Sequence, residues 1–584
     1  MHYNYSMSTA QKLMRGLERK YKLYTALSPL TMIGEVVMET VIPLIMARII
    51  DTGIAQRNTG YVMRLGIIMI LASCFSLACG MLCGRFAAVA SQGFSRNLRR
   101  NLFAKVQEFS FANTDHFSSA SLVTRLTTDV TNVQNVYQMI IRMCIRAPLM
   151  MISGTIMAFM INRKLAVVFL VAIPLLAAVL GLITAAAYPR FRKMLEKYDL
   201  LNTAVQENLI GIRVVKSFVR GTFETEKFDS AAAAVRDTQV KAERLVIFTM
   251  PVMQLVIYFC IVSVLWFGGN MIIAGSMHTG ELVSFITYVT QVLMSLMMLS
   301  MVFVMLVISR ASISRIVEVL DEQPDIADPA QSFHVVLNGS IDFTDVSFSY
   351  NRKKDNCVLS HVDMHIPSGS FVGIIGSTGS SKTTLISLVP RLYDVFSGMV
   401  QVGGIDVRKY DLVSLRDAVA VVLQKNVLFS GTIKDNLKWG NEKATDEEIA
   451  AACRAADAEE FILSFPSGYD TELGQGGVNI SGGQKQRLCI ARALLKKPKI
   501  LILDDSMSAV DTATDSRIRK ALRANLPGTT KIVIAQRITS VQDADIIYVM
   551  DNGQINGCGT HEQLLSSNTI YREVYDSQQK GDDR

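Results

Sequence analysis

The chain has 584 residues, 50% of them hydrophobic, with a mean hydropathy of +0.29 and a formal net charge of +8. That is too long and too apolar for one ordinary soluble domain. The positive charge comes without aromatic–basic interleaving, zinc-finger spacing or a basic tail, so no nucleic acid is expected as a partner, and cysteines without a Cys-x-x-Cys pair point to a reduced, cytoplasmic setting for the soluble part.

Residues 1–22, "MHYNYSMSTAQKLMRGLERKYK", are basic and loosely amphipathic. They lack a small-residue cleavage site before the first apolar run and read as a cytoplasmic elbow helix rather than a signal peptide. A membrane domain is predicted over 23–310. Six segments are long and apolar enough to cross a bilayer, at roughly 23–50, 61–84, 137–160, 165–188, 246–269 and 281–308. The third is the weakest, because Arg142 and Arg146 interrupt it. The connections at 85–136 and 189–245 are long, helical in pattern and rich in Arg and Lys. Their basic ends place them in the cytoplasm with the amino terminus, and an even number of spans returns the rest of the chain there. The helices are expected to continue well beyond the lipid, with short helices near 113–120 and 211–219 capping the two hairpins.

Glu35 and Glu39 lie one turn apart in the first span. A carboxylate facing lipid is costly, so both are expected to face the bundle interior or a cavity. A packed polar contact and a lining for cationic cargo both fit that pattern. The methionines between Met271 and Met305 suit a promiscuous cavity and ordinary helix packing equally well.

Residues 311–338 read as a polar linker in which Pro324 and Pro329 discourage a helix. A compact α/β domain is predicted over 339–584. Within it "SFVGIIGSTGSSKTTLISLVPRLY" reads as strand, glycine-rich turn and helix. The turn, Gly376, Ser377, Thr378, Gly379, Ser380, Ser381, Lys382, Thr383 and Thr384, follows the phosphate-loop pattern except at Ser381, where glycine is expected. Backbone N–H groups and the helix start would cradle phosphates. Lys382 would reach the β- and γ-phosphates, and Thr383 would ligate Mg²⁺. A serine forced into a glycine conformation would be strained.

Downstream, "PKILILDD" reads as a buried strand delivering Asp504 and Asp505 to the carboxyl edge of a sheet. Asp504 would hold the Mg²⁺ shell. Asp505 stands where a general base would position the attacking water. Aspartate is shorter than glutamate by roughly 1.5 Å, and a misplacement near 1 Å costs on the order of 100-fold in rate.

"NISGGQKQR", residues 479–487, resembles the signature of the ATP-binding cassette (ABC) superfamily. Together with the phosphate loop, "LILDD" and the six-span half, it makes the chain similar to the bacterial half-size ABC exporters of the multidrug and lipid-flippase kind. The implied fold is a polytopic α-helical membrane domain with six long transmembrane helices, followed by an α/β P-loop ATP-binding cassette. The resemblance implies ATP and Mg²⁺ as cofactors and a multi-pass protein of the bacterial plasma membrane with its cassette in the cytoplasm. By the same resemblance Tyr350 stacks on adenine. Gln424 senses Mg²⁺ and γ-phosphate, and Ser481, Gly482, Gly483 and Gln484 close over the partner cassette's ATP. "SAVD", 508–511, crosses the dimer interface, and "TELGQGG", 471–477, contacts intracellular helices.

Two positions depart from the hydrolysing members, which carry glutamate at Asp505 and histidine at Gln536. An amide hydrogen-bonds a phosphate oxygen but carries no imidazolium charge. With Ser381, these departures describe a site that binds ATP and turns it over slowly. The intact signature then implies a heterodimer, whose partner half-transporter supplies the catalytic glutamate and switch histidine. Ser481 and Gly483 of this chain would complete that competent site, and the cargo would be a small amphiphile or lipid. A homodimeric lipid or peptide exporter and a nucleotide-gated membrane regulator remain as alternatives.

Overall fold

The computed structural model describes residues 8–351, 356–505 and 511–582. The chain divides into two compact units: Met1–Gln107 with Ser119–Glu322, and Glu108–Ser118 with Gln323–Arg584.

The first unit is helical. A short α1 (Thr9–Leu13) precedes α2 (Arg19–Arg48), which a π-helical segment prolongs to Ile54. Then come α3 (Thr59–Gln107) and, after the α4 segment of the other unit (Phe111–Phe117), α5 (Ser119–Thr124) and α6 (Val130–Ile161). The unit continues with α7 (Arg163–Ile210), α8 (Ile212–Ser217), α9 (Gly221–Ile247), α10 (Thr249–Ile273) and α11 (Thr279–Asp321). Among the described residues, 6 stretches are long and apolar enough to span a bilayer. At 1.5 Å per residue the 49 residues of α3 reach about 74 Å, against a hydrocarbon core of about 30 Å, so helix runs far past lipid. The sixth long helix ends at Asp321, not near 310, so the start of the stretch read as linker is helical. Residues 108–118, expected inside the membrane domain, group with the cassette instead.

Side chains of α11 bond the backbone of α2 around Pro43. Pro43 has no N–H to give the Glu39 carbonyl one turn back, and Gln291 Nε2 of α11 donates to that oxygen at 3.4 Å. Ser284 donates to the Pro43 carbonyl at 2.5 Å and Tyr288 to that of Thr40 at 2.6 Å. Between lipid-depth helices such bonds replace the water a soluble helix would use.

The two acids of α2 meet a partner on α6. Arg146 donates through Nη1 to Glu35 and through Nη2 to both oxygens of Glu39, at 2.8 and 2.9 Å. The arginine that interrupts the third span is therefore the counter-ion of the acids in the first. Toward the far end of α11, Arg315 grips the fully buried Asp129 through Nε at 2.8 Å and Nη2 at 2.5 Å. Arg125 pairs with Glu318 at 2.8 Å. Both Arg125 and Asp129 lie in a π-helical turn between α5 and α6.

In the second unit the elements are β1 (Ile341–Phe348), β2 (Leu359–Ile366), β3 (Phe371–Gly376), α12 (Lys382–Ser387), β4 (Ser397–Val402), β5 (Ile405–Asp406), α13 (Leu412–Ala418) and β6 (Val419–Val422). There follow β7 (Gly431–Thr432), α14 (Ile433–Lys438), α15 (Asp446–Ala455), α16 (Glu459–Leu463), β8 (Glu472–Leu473), α17 (Gly482–Leu495) and β9 (Ile500–Asp504). The chain closes with α18 (Thr512–Asn525), β10 (Thr530–Ile534), β11 (Ile546–Asp551), β12 (Gln554–Gly559), α19 (His561–Ser567) and α20 (Thr569–Asp582).

The main sheet has the order β12-β11-β3-β10-β9-β6, parallel except for β12. A second, antiparallel sheet runs β2-β1-β4-β5. The strands β9 and β10 are buried along their whole length, as a parallel sheet covered on both faces requires. Alternate residues feed two cores: Leu501, Leu503 and Val533 point into one, and Ile500, Ile502 and Ile532 into the other.

Candidate functional site

The order β3-β10-β9 sets three carboxyl ends side by side, with Ile374 and Asp504 both opposite Ile534. Ligands of open α/β sheets bind at such edges. The loop leaving β3 begins at Gly376, where a side chain would run into the Met550 carbonyl and the Ser380 hydroxyl. Ser381 adopts φ +71°, ψ +23°, the left-handed region. The strain expected from its sequence is therefore present: a β-carbon at this conformation costs about 1–2 kcal/mol relative to glycine.

Lys382 Nζ folds onto its own loop, donating to the carbonyls of Gly376 and Ser377 at 2.8 Å each and to Ser380 Oγ at 3.2 Å. Burial pulls its ammonium below the usual lysine range, with Asp505 and Asp504 opposing the shift. Thr383 Oγ1 donates to Asp504 Oδ1 at 3.1 Å. The other Asp504 oxygen is buried and has no hydrogen-bond partner among the described residues. A buried, unsatisfied carboxylate oxygen beside a threonine hydroxyl is the hard-oxygen arrangement that Mg²⁺ takes, so these residues fit the cation the phosphate loop calls for. Burial also raises the Asp504 carboxyl, aided by the neighbouring Asp505 charge and opposed by the Thr383 hydrogen bond.

Asp505 sits on a left-handed turn at φ +46° and is 8% exposed. Its Oδ2 accepts from Gln424 Nε2 at 3.2 Å and from Gln536 Nε2 at 2.8 Å. Burial raises this carboxyl and the two amide hydrogen bonds oppose the rise. The three residues named from sequence as Mg²⁺ sensor, water-positioning acid and switch are thus brought into one cluster. Tyr350 is half exposed and shares a hydrogen bond with Thr384 Oγ1 at 2.9 Å, which places the aromatic beside the phosphate-loop helix.

Ser377, Thr378 and Gly379 complete the turn, Gly379 at φ +88°.

Ser481 caps α17: its Oγ accepts from Gln484 N at 3.3 Å, and Gln484 Oε1 accepts from Ser481 N at 2.9 Å. This reciprocal pair fixes the helix start and leaves Ser481 and Gly482 exposed. Among the described residues nothing lies within 4 Å of a Cβ built on Gly482, and no hydrogen bond joins 481–484 to the phosphate loop. Residues 508–510 of "SAVD" lie outside the described residues, while Asp511 caps α18 through Thr514 N at 2.9 Å.

Sequence reading missed Tyr393. Its hydroxyl donates to Asp115 Oδ2 of α4 at 2.8 Å, and its ring stands edge-on to Tyr350, centroids 5.2 Å apart. No motif marks that residue; only the fold brings positions 115, 350 and 393 together.

Residues 25–297 match the ABC transporter transmembrane region family and 359–508 the ABC transporter family. The chain is 40% identical over 560 residues to the uncharacterized ABC transporter ATP-binding protein YfiB of Bacillus subtilis, covering 96% of this chain and 97% of that one. It is 33% identical over 488 residues to an ATP-dependent lipid A-core flippase of Desulfotalea psychrophila, covering 83% and 85% of the two chains. A solved structure of a bacterial Atm1-family ABC exporter with ATP bound superposes with a TM-score of 0.82 at 25% identity, covering 97% of this chain and 99% of that one. With its six spans, its parallel-sheet cassette and its phosphate loop and signature, the chain belongs to the ABC transporter family and is a half-size exporter of the plasma membrane, an ATPase coupled to transport.

Proposed function

We propose that this chain is the slow-turnover half of a heterodimeric exporter that moves small amphiphiles from the cytoplasm or inner leaflet outward. The observation that carries the reading is the Gln424–Asp505–Gln536 cluster, in which the short acid is held between two amides. An Asp505 carboxylate committed to these amides is poorly placed to take a proton from water. Gln536 offers a neutral donor where a histidine would bring positive charge.

When ATP and Mg²⁺ are bound, they supply the free energy of cassette closure. Lys382 would exchange the carbonyls of Gly376 and Ser377 for phosphate oxygens, and Asp504 and Thr383 would hold the cation. Ser481 and Gly483 would complete the site of a partner that carries glutamate and histidine. The cassette and amino terminus would lie in the cytoplasm. The cargo reading is amphiphilic rather than cationic, because Arg146 engages both Glu35 and Glu39. Similarity to a lipid A-core flippase supports a second reading, a homodimeric lipid exporter. Purification of the native complex with mass identification of every subunit separates them. Two related chains are expected, and a single chain species overturns the heterodimer.

A further inference from the structure

The carboxyl-terminal helix α20 reaches the switch. Its first half is anchored on α19. Tyr571 is 1% exposed, with its hydroxyl 2.7 Å from His561 Nδ1. Asn568 Oδ1 accepts from Tyr571 N at 2.9 Å, and Arg572 donates to the carbonyls of Leu565 and Ser566 at 2.7 and 2.6 Å. Two turns on, Gln578 Nε2 donates to the Gln536 carbonyl at 2.7 Å, and Gln578 Oε1 accepts from the Ile538 N–H at 2.9 Å.

These two backbone groups flank Arg537 and lie just past the end of β10. The last rung of the sheet there is the Ala535 N–H on the Ile374 carbonyl, at 3.2 Å. Beyond it, among the described residues, the sheet offers the chain no partner. A carbonyl at one residue and an N–H two residues on is what a parallel neighbour strand pairs with. The Gln578 amide, one donor and one acceptor in a plane, stands in for that missing peptide. It holds the segment from which the Gln536 side chain extends to Asp505 Oδ2.

We propose that Gln578 is a positioning residue for the ATP switch, and that α20 thereby sets how strongly this chain's site distinguishes ATP from ADP. The inference rests on Gln536 facing the terminal phosphate. It holds for a homodimer and a heterodimer alike.

The test uses the purified full transporter with Mg²⁺ and photolabelling of this chain by azido-ATP or azido-ADP. Gln578→Ala is expected to raise half-saturation for the ATP probe about five-fold, the worth of a misplaced hydrogen bond, and to leave the ADP probe unchanged. Hydrogen exchange should speed up in 535–541 and stay constant in 561–575. In a Gln536→Ala background the effect of Gln578→Ala on ATP should vanish, because the positioned amide is gone. Gln578→Glu keeps the acceptor but sets a carboxylate against the Gln536 carbonyl, and should exceed Gln578→Ala. If Gln578→Ala also undocks α20, Gln578→Met, of similar length, takes its place in the same cycle. Equal losses for ATP and ADP, an undiminished effect in the Gln536→Ala background, or unchanged exchange in 535–541 would each overturn the proposal. Loss of labelling by both probes in Lys382→Ala, with normal labelling in the parent, shows that the nucleotide site itself is being read.

Discussion

Under the proposed slow-turnover reading, Asp505, Gln536 and Ser381 each limit the site in a different way: reach, charge and backbone strain. They are expected to respond separately to repair. Asp505→Glu with Gln536→His should raise ATP turnover at this chain's site, and adding Ser381→Gly should raise it further by relieving a left-handed β-carbon that costs about 1–2 kcal/mol. Single-site turnover with the partner's site blocked measures both steps. No gain from the triple variant would mean that another group limits hydrolysis. Asp504 gives a prediction in pH. Burial raises its carboxyl, so at neutral pH the ionised form costs the folded cassette stability, and the cost disappears as pH falls through the raised titration. Asp504→Asn should therefore raise the cassette's unfolding temperature at neutral pH in the absence of nucleotide, with the advantage shrinking under acid. It should weaken Mg²⁺-dependent ATP binding at the same time. Thermal scans across pH decide it, and a variant less stable than the parent at neutral pH would refute the sign.

At the scale of elements, α2 and α6 are tied by one arginine and two acids. Removing the arginine leaves two partly buried carboxylates without their counter-ion; breaking a fully buried pair costs about 3–5 kcal/mol, and a partly exposed one less. Arg146→Ala should accordingly lower yield and thermal stability. Arg146→Met with Glu35→Gln and Glu39→Gln should recover most of the loss, since no unpaired charge remains. If the triple variant instead exports cationic amphiphiles poorly and neutral ones normally, the acids line the cargo path after all. The phosphate loop and the "LILDD" strand were legible because their chemistry is contiguous: a strand, a turn and a helix start lie within a few residues. The Arg146 clamp was half legible. The charge interrupting the third span was visible, but its partners lie more than a hundred positions away. Tyr393 and Gln578 left no local trace at all, because an aromatic edge and a side-chain amide acquire their roles only when distant segments meet. The helix end at Asp321 is hidden in the sequence for a different reason. Polar residues after 310 look like a linker, yet charged residues suit a helix that has left the lipid.

At the scale of the whole molecule, a nucleotide site built from two chains predicts an asymmetry between motifs. Gly483→Asp places bulk and negative charge where the partner's ATP would approach, and it should remove most ATPase and transport by the complex. Gln536→Ala removes one amide contact at the site proposed to turn over slowly and should cost only a few-fold, about the worth of one hydrogen bond. Steady-state ATPase of the purified complex compares them. A tolerated Gly483→Asp together with a dead Gln536→Ala would reverse which site is strong.

The open space around Gly482 carries a further consequence. Among the described residues nothing opposes a methyl group there, and alanine gives up less backbone freedom than glycine on entering a helix, by up to about 0.5–1 kcal/mol in a helix interior. Folding and assembly therefore pull this one position in opposite directions. Gly482→Ala should make the lone cassette slightly harder to unfold and act as a wedge when another surface closes on it. Thermal stability up with ATP-driven association down is the expected signature, and it would show that the glycine is kept at the expense of its own chain for the fit of a neighbour.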